Sequence, residues 1–201
     1  MTIDWLEGLA AAATLVNVWL LVRASIWNWP WGAIAVVAYA VVFWRSRLWS
    51  SMALQLAYYL PMQLVGWWSW SRTGPAGDDD LPVTTLSPRA RLAWVAGGAV
   101  LALALGGAMA RLGAAQSWGD AGVTAASVVG QALMTRKKLE HWACWIVVNV
   151  TYAAWLLPRQ GLWLSAALYA VLLVLAVRGW RTWAASLGGA HPGDGAGRGP
   201  R

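Results

Sequence analysis

Seven apolar stretches, each with hardly a charge inside it, follow one another along this chain and leave few folds open to it. They fall at approximately 3–22, 28–44, 51–70, 92–110, 119–135, 140–157 and 161–178. The hydrocarbon core of a bilayer, about 30 Å thick, is crossed by a helix of about 20 apolar residues. Inside it every backbone N–H and C=O must find a partner within the protein, so only helices and closed barrels span it. Stretches of this length predict helices, and the fold class expected is an all-α integral membrane protein with seven transmembrane helices. Composition agrees. Hydrophobic residues make up 59% of the 201 and charged residues 11%, against about 25% charged in a soluble domain. The mean hydropathy is +0.51.

The breaks between stretches carry the charge and the Pro and Gly residues: Arg45-Ser46-Arg47, Ser71 to Arg91, Arg136-Lys137-Lys138, and Pro158-Arg159-Gln160-Gly161. The net charge of +7 therefore reflects loops and the C-terminal tail, and no nucleic-acid partner is expected. With the N-terminus outside, eleven Lys and Arg fall on the inside and four outside. That asymmetry predicts N-out, C-in. No basic region opens the chain, so no cleavable signal peptide is expected. Cys144 stands alone and cannot form an intrachain disulfide. The segment 71–91, with Pro75, Pro82, Pro88 and Asp78-Asp79-Asp80, reads as a solvated linker, and no metal site is expected. The tail 185–201, rich in Gly and Pro from Gly188 on, reads as disordered. Trp67, Trp68, Trp70, Trp180 and Trp183 fall near expected helix ends, where indoles anchor at lipid headgroups, and Trp27, Trp29, Trp31 and Trp49 fit the same role.

The two ends of the chain repeat each other. A shift of 113 residues lays Arg23 on Arg136, Trp29 on Trp142, Tyr39 on Tyr152, Gly66 on Gly179, Trp67 on Trp180 and Trp70 on Trp183. The chain divides accordingly into a three-helix unit at 1–70, a loop and linker helix at 71–118, and a second three-helix unit at 119–184. A displacement by four spans is even, so the two units are expected to run parallel, with the fourth helix as the inversion linker. This 3+1+3 arrangement is a transporter architecture, with the site between the units near the midplane. The linker helix carries Gly98, Ala102 and Gly106 four apart, a ridge that permits close helix packing, in the chain itself or with another copy.

Almost no ionisable residue lies deep in a span. Coupled carriers keep a carboxylate or His there for the coupling ion, so an uncoupled pathway is expected. The buried polar residues are neutral. Trp142, Trp145, Asn149 and Tyr152 are spaced three, four and three apart, one face of the sixth helix. Thr124, Ser127 and Gln131 line the fifth helix, Gln55, Tyr59 and Gln63 the third, and Asn17 sits late in the first. In the shifted register the stripe on the sixth helix meets Trp29, Gly32, Val36 and Tyr39. The outer members persist and the inner two do not, which marks Trp145 and Asn149 as the specialised pair. Indoles, amides and phenols with no base or nucleophile suit holding a flat polar molecule and not reacting with it, so no catalytic residue, enzyme activity or cofactor is expected.

Four stretches resemble the PnuC family of vitamin transporters, whose best-known members carry nicotinamide riboside. They are N-W-P-W-G at Asn28 to Gly32; L-W-S-S-M-A-L-Q at Leu48 to Gln55, running on to G-W-W-S-W at Gly66 to Trp70; Q-A-L-M-T-R-K-K-L-E-H-W-A-C-W-I-V-V-N-V at Gln131 to Val150; and G-L-W-L-S-A-A-L-Y-A-V at Gly161 to Val171. The resemblance extends over nearly all of residues 15 to 184. The resemblance implies a bundle similar to the sugar-transporting SWEET fold, often a homotrimer, in a bacterial inner membrane. It implies facilitated diffusion of an unphosphorylated vitamin precursor, trapped by a cytoplasmic kinase. The family's W-x-x-W motif and following Asn match Trp142, Trp145 and Asn149, and Gln131 matches a position near the site.

The residues fit that implication. Indoles attract a pyridinium cation, amides pair with a carboxamide or hydroxyls, and phosphate would need Arg or Lys. The substrate-binding residues expected are Trp142 and Trp145, sandwiching the ring, with Asn149, Gln131, Gln55, Tyr59 and Tyr152. Thiamine, another aromatic cation, and other vitamins or nucleosides satisfy the same reasoning, and a non-transporting receptor or scaffold is the rival of another class.

Overall fold

The computed structural model describes residues 5–45, 52, 54–72, 81–111, 117–156 and 163–188. Among them the chain is helical, with no strand and a single isolated bridge between Thr84 and Lys138. The helices are α1 (Trp5–Val22), α2 (Asn28–Arg45), α3 (Leu60–Ser71), α4 (Pro88–Arg111), α5 (Ser117–Met134), α6 (His141–Thr151) and α7 (Trp163–Gly188). A π-helical turn, Gln55–Tyr59, leads into α3, and another, Tyr152–Leu156, continues α6. Helix α1 packs on α2 and α7, α6 lies between α5 and α7, and α4 lies against α5. Helix α4 and the stretch Ala166–Leu187 of α7 are each long and apolar enough to cross a bilayer. Leu92, Val95, Val100 and Leu103 stand out from α4 more than 60% exposed, as a helix facing lipid does.

Two corners of the fold are built by the same bonds, 113 residues apart. After α1 the Ser25 N–H bonds the Leu20 carbonyl and the Ala24 N–H bonds that of Leu21. After α5 the Lys138 N–H bonds Leu133 and the Lys137 N–H bonds Met134. Each is the paired-bond ending in which a residue in the left-handed conformation satisfies the last carbonyls of a helix. Glycine usually takes that place, yet here Ala24 has φ 53° and Lys137 has φ 46°. The next helix starts alike too: the Asn28 side chain donates from Nδ2 to the Ser25 carbonyl at 2.7 Å, and His141 donates from Nδ1 to the Lys138 carbonyl at 2.7 Å.

The same distance separates two indole-on-glycine contacts. A side chain on Gly66 would overlap the Trp29 ring, and one on Gly179 would overlap the Trp142 ring. Trp29 meets Trp70 edge-on, centroids 5.2 Å apart at 89°, and Trp142 meets Trp183 at 5.7 Å and 88°. Trp70 and Trp183 then meet each other at 6.1 Å. Trp29, Trp70, Trp142 and Trp183 are each at most 1% exposed. This corrects the expectation that Trp29, Trp70 and Trp183 anchor at headgroups. Helix α7 runs ten residues past its expected end at 178, so Trp183 is drawn into the bundle, where its Nε1–H donates to the Leu21 carbonyl at 3.2 Å. Trp27, Trp67 and Trp68 do face outward. Trp49 lies outside the described residues.

Two further expectations change at this end of the bundle. The triplet Arg136-Lys137-Lys138 is not simply a polar break. Lys137 is buried, with its ammonium 4.4 Å from the centre of the Trp70 ring. The second half of segment 71–91 is a strap, not a solvated linker. Thr84 exchanges backbone bonds with Lys137 and Leu139 at 3.1 and 2.9 Å, and Lys138 donates from Nζ to Thr84 Oγ1. The Leu86 N–H and the Arg91 guanidinium both donate to Glu140 Oε1 at 2.9 Å. Leu81 and Val83 pack on the aromatic cluster. Pro75, Asp78, Asp79 and Asp80, and the tail beyond Gly188, lie outside the described residues. On α4, Gly98 and Gly106 face Val129 and Trp118 of α5, so these members of the small-residue ridge serve packing within the chain.

Candidate functional site

A cavity of about 360 Å³ lies among α1, α2, α3, α5, α6 and α7, within the usual range for small-ligand sites. All seven expected residues line it: Gln55 and Tyr59 from the π-helical turn before α3, Gln131 from α5, Trp142, Trp145 and Asn149 from α6, and Tyr152 at the start of the second π-helical turn. Gln63, Asn17 and Ser127 line it as well, and Thr124 does not. Among the described residues, no Asp, Glu, Lys, Arg or His lines it.

Local structure explains this gathering. On α6 the spacing of three and four keeps Trp142, Trp145 and Asn149 on one face. The π-helical turns, which the sequence pattern did not predict, carry Gln55, Tyr59 and Tyr152 to the cavity. Such turns insert an extra residue into a helix and are found often at functional sites. The ring of Tyr152 lies 4.6 Å from that of Tyr169 on α7, a cavity residue the sequence reading missed. A single Tyr in the apolar run of α7 was its one signal.

Four polar side-chain atoms of the lining are buried with no hydrogen-bond partner in the protein: Gln63 Oε1, Gln131 Nε2, Trp142 Nε1 and Trp145 Nε1. A buried donor or acceptor left unsatisfied costs about 1–3 kcal/mol. Their convergence on one cavity is the mark of a site built for a polar partner. These atoms are three donors and one acceptor.

The two indoles have different roles. Trp142 is wholly buried, laid over Gly179 and edge-on to Trp183, and it lines the cavity. Trp145, only partly buried, lies along the wall, with its Nε1 3.6 Å from where a side chain on Gly130 would begin. Of the two indoles expected to sandwich the ring, Trp145 is the more exposed.

A helical bundle with apolar outer faces and an uncharged, amide- and indole-lined interior cavity defines a class: a multi-pass membrane transport protein for a small polar organic molecule. Comparison with known proteins makes the class specific. Residues 4–185 match the sequence profile of the nicotinamide mononucleotide transporter family, and the chain belongs to it. It is 26% identical to the nicotinamide riboside transporter PnuC of Escherichia coli over 90% of this chain and 85% of that one. It is 31% identical to the PnuC of Neisseria mucosa over 76% of this chain and 60% of that one. The riboflavin/roseoflavin transporter RibM of Streptomyces davaonensis is 26% identical over 90% and 85%. A crystal structure of the vitamin B3 transporter PnuC superposes with a TM-score of 0.73 at 27% identity, covering 92% of this chain and 82% of that one.

Proposed function

We propose that this protein carries nicotinamide riboside across a bacterial inner membrane by uncoupled facilitated diffusion, with the substrate trapped by phosphorylation inside the cell. The observation that carries the reading is the cavity itself: seven residues chosen for a pyridinium carboxamide riboside line one uncharged space. Trp145 lies against the cationic ring, an attraction worth about 0.5–2 kcal/mol. Gln131, through its unpartnered amide N–H, and Asn149 hold the carboxamide. Gln55, Tyr59 and Tyr152 contribute the remaining polar wall.

The described lining has no cation to meet a phosphate and no carboxylate or His to carry a coupling proton. This favours the riboside over its mononucleotide, and diffusion over coupling. The paired corners and paired indole-on-glycine contacts support two parallel three-helix units joined by α4, in a SWEET-like 3+1+3 bundle. The Lys and Arg asymmetry supports N-out, C-in. The bare apolar face of α4 is compatible with the homotrimer implied by the resemblance.

The likeness to RibM favours riboflavin as a second reading, ahead of thiamine. Calorimetric titration of the purified protein with nicotinamide riboside, its mononucleotide, riboflavin and thiamine decides among them. Micromolar binding of the riboside alone, with flux into liposomes that a proton or sodium gradient does not change, is the expected result. Saturable riboflavin or thiamine binding without riboside binding overturns the substrate, and binding without flux overturns transport in favour of a receptor.

A further inference from the structure

The stripe on α6 accounts for one wall of the cavity. The part of the lining that comes from α1, α2 and α3 holds an amide pair that it does not account for. Gln63 on α3 is only 6% exposed, lines the cavity, and keeps its buried Oε1 without a hydrogen-bond partner. A side chain built on Gly32 of α2 would begin 2.8 Å from Gln63 Cδ and 2.9 Å from Asn17 Nδ2, and closer still to Gln63 Oε1. Asn17 on α1 donates from Nδ2 to the Asn28 carbonyl at 2.6 Å. That bond fixes the amide and leaves Asn17 Oδ1 as its acceptor. Three helices thus bring two amides together over a glycine that has just enough room for them.

The 113-residue register shows what has been exchanged. Asn17 corresponds to Gly130, and Gly32 corresponds to Trp145. In one half a large indole lies beside a glycine on the preceding helix, and in the other a glycine lies beneath an amide on the preceding helix. Bulk has moved from one member of the pair to the other. The result is a cavity whose lining combines an indole from α6 with an acceptor-bearing amide pair from α1 and α3. A Gln that served only to tie helices together would have its Oε1 bonded across the interface, and this one does not.

We propose that Gln63 and Asn17, seated over Gly32, form a subsite for the hydroxylated sugar end of the ligand, with Gly32 a specificity-determining residue because any side chain there pushes the Gln63 amide away. The amide oxygens accept from sugar hydroxyls, while the ring lies on the Trp145 side. The inference deepens the proposed reading of the cavity and rests on it.

The test compares two ligands on three proteins by calorimetry. Nicotinamide riboside has ring and sugar; 1-methylnicotinamide has the same cationic ring and carboxamide with a methyl group in place of the sugar. Gln63→Leu and Gly32→Ala are each expected to weaken riboside binding about tenfold and to leave 1-methylnicotinamide within twofold of the parent protein. Alanine is the better helix former, so Gly32→Ala moves the amide with little risk to the helix, and thermal melting in detergent checks both variants. Riboside affinity unchanged in Gln63→Leu, or both ligands weakened equally by the two folded variants, overturns the subsite and leaves the substrate reading standing. Should the parent protein bind riboflavin and not the riboside, the substrate reading fails, and riboflavin against lumiflavin, which lacks the ribityl chain, tests the subsite by the same ratio. A parent protein that binds none of these ligands overturns both.

Discussion

Replacing Trp145 by alanine removes an indole from the cavity lining and leaves the amides of Asn17 and Gln63 in place. The indole supplies a cation–π attraction of about 0.5–2 kcal/mol to a pyridinium. Contact with one ring face adds about 1 kcal/mol if about 40 Å² of apolar surface is covered, at about 25 cal/mol per Å². The sum, about 2 kcal/mol, corresponds to roughly a thirtyfold loss of affinity. Trp145 is partly buried and packs beside Val123, Val148 and the inner aromatic cluster. Truncation therefore costs stability as well, short of the 3–5 kcal/mol of a fully buried Trp. The assay is titration of the purified variant with nicotinamide riboside and with its dihydro form, whose ring is uncharged. Alanine should weaken the oxidised riboside at least tenfold and the dihydro riboside less, because only the cation loses the electrostatic part. Trp145→Phe should fall between. Affinity for the oxidised riboside within twofold of the parent, in a variant that still melts cooperatively, would refute the placement of the ring against this wall.

The remaining predictions concern the frame around the cavity. Gly66→Ala and Gly179→Ala each force a buried indole out of its place, at about 1–3 kcal/mol apiece. Detergent melting should fall by similar amounts for both, and riboside binding should suffer more in Gly179→Ala because Trp142 lines the cavity; a neutral effect on melting contradicts the close approach. Ala24→Gly relieves a left-handed residue, worth about 1–2 kcal/mol, less about 0.4–1 kcal/mol for the freer unfolded chain. Its melting temperature should rise, and a fall would show the corner is not strained. Glu140→Gln weakens the bonds to Leu86 and Arg91, and hydrogen exchange at residues 81–87 should quicken several-fold; unchanged protection would mean that the Thr84 bonds and the packing of Leu81 and Val83 hold the strap without Glu140.

How much was legible beforehand depends on which physical effect wrote each feature into the chain. The apolar runs could be read because each span must satisfy its own backbone and cover its own surface, so the evidence for a helix lies within the helix. The stripe Trp142, Trp145, Asn149 was readable for the same reason: helical spacing alone puts it on one face, and that face does line the cavity. Gln131, Gln55 and Tyr59 were readable as uncharged polar residues in an apolar setting, where each must find a partner.

The tertiary structure decided what depends on a second helix. Trp70 and Trp183 have the sequence context of headgroup anchors. Only the packing of α7 beside α1, with the Trp183 N–H on the Leu21 carbonyl, turns them into core. Lys137 reads as a loop charge until the left-handed corner turns its ammonium over the Trp70 ring. The strap at 81–87 has no apolar pattern to announce it, because its backbone bonds are made to a corner more than fifty residues away. Gly32 looked like a lost member of the stripe. It proves to be space that Asn17 and Gln63 occupy, since a missing side chain acquires meaning only from the atoms that fill its place.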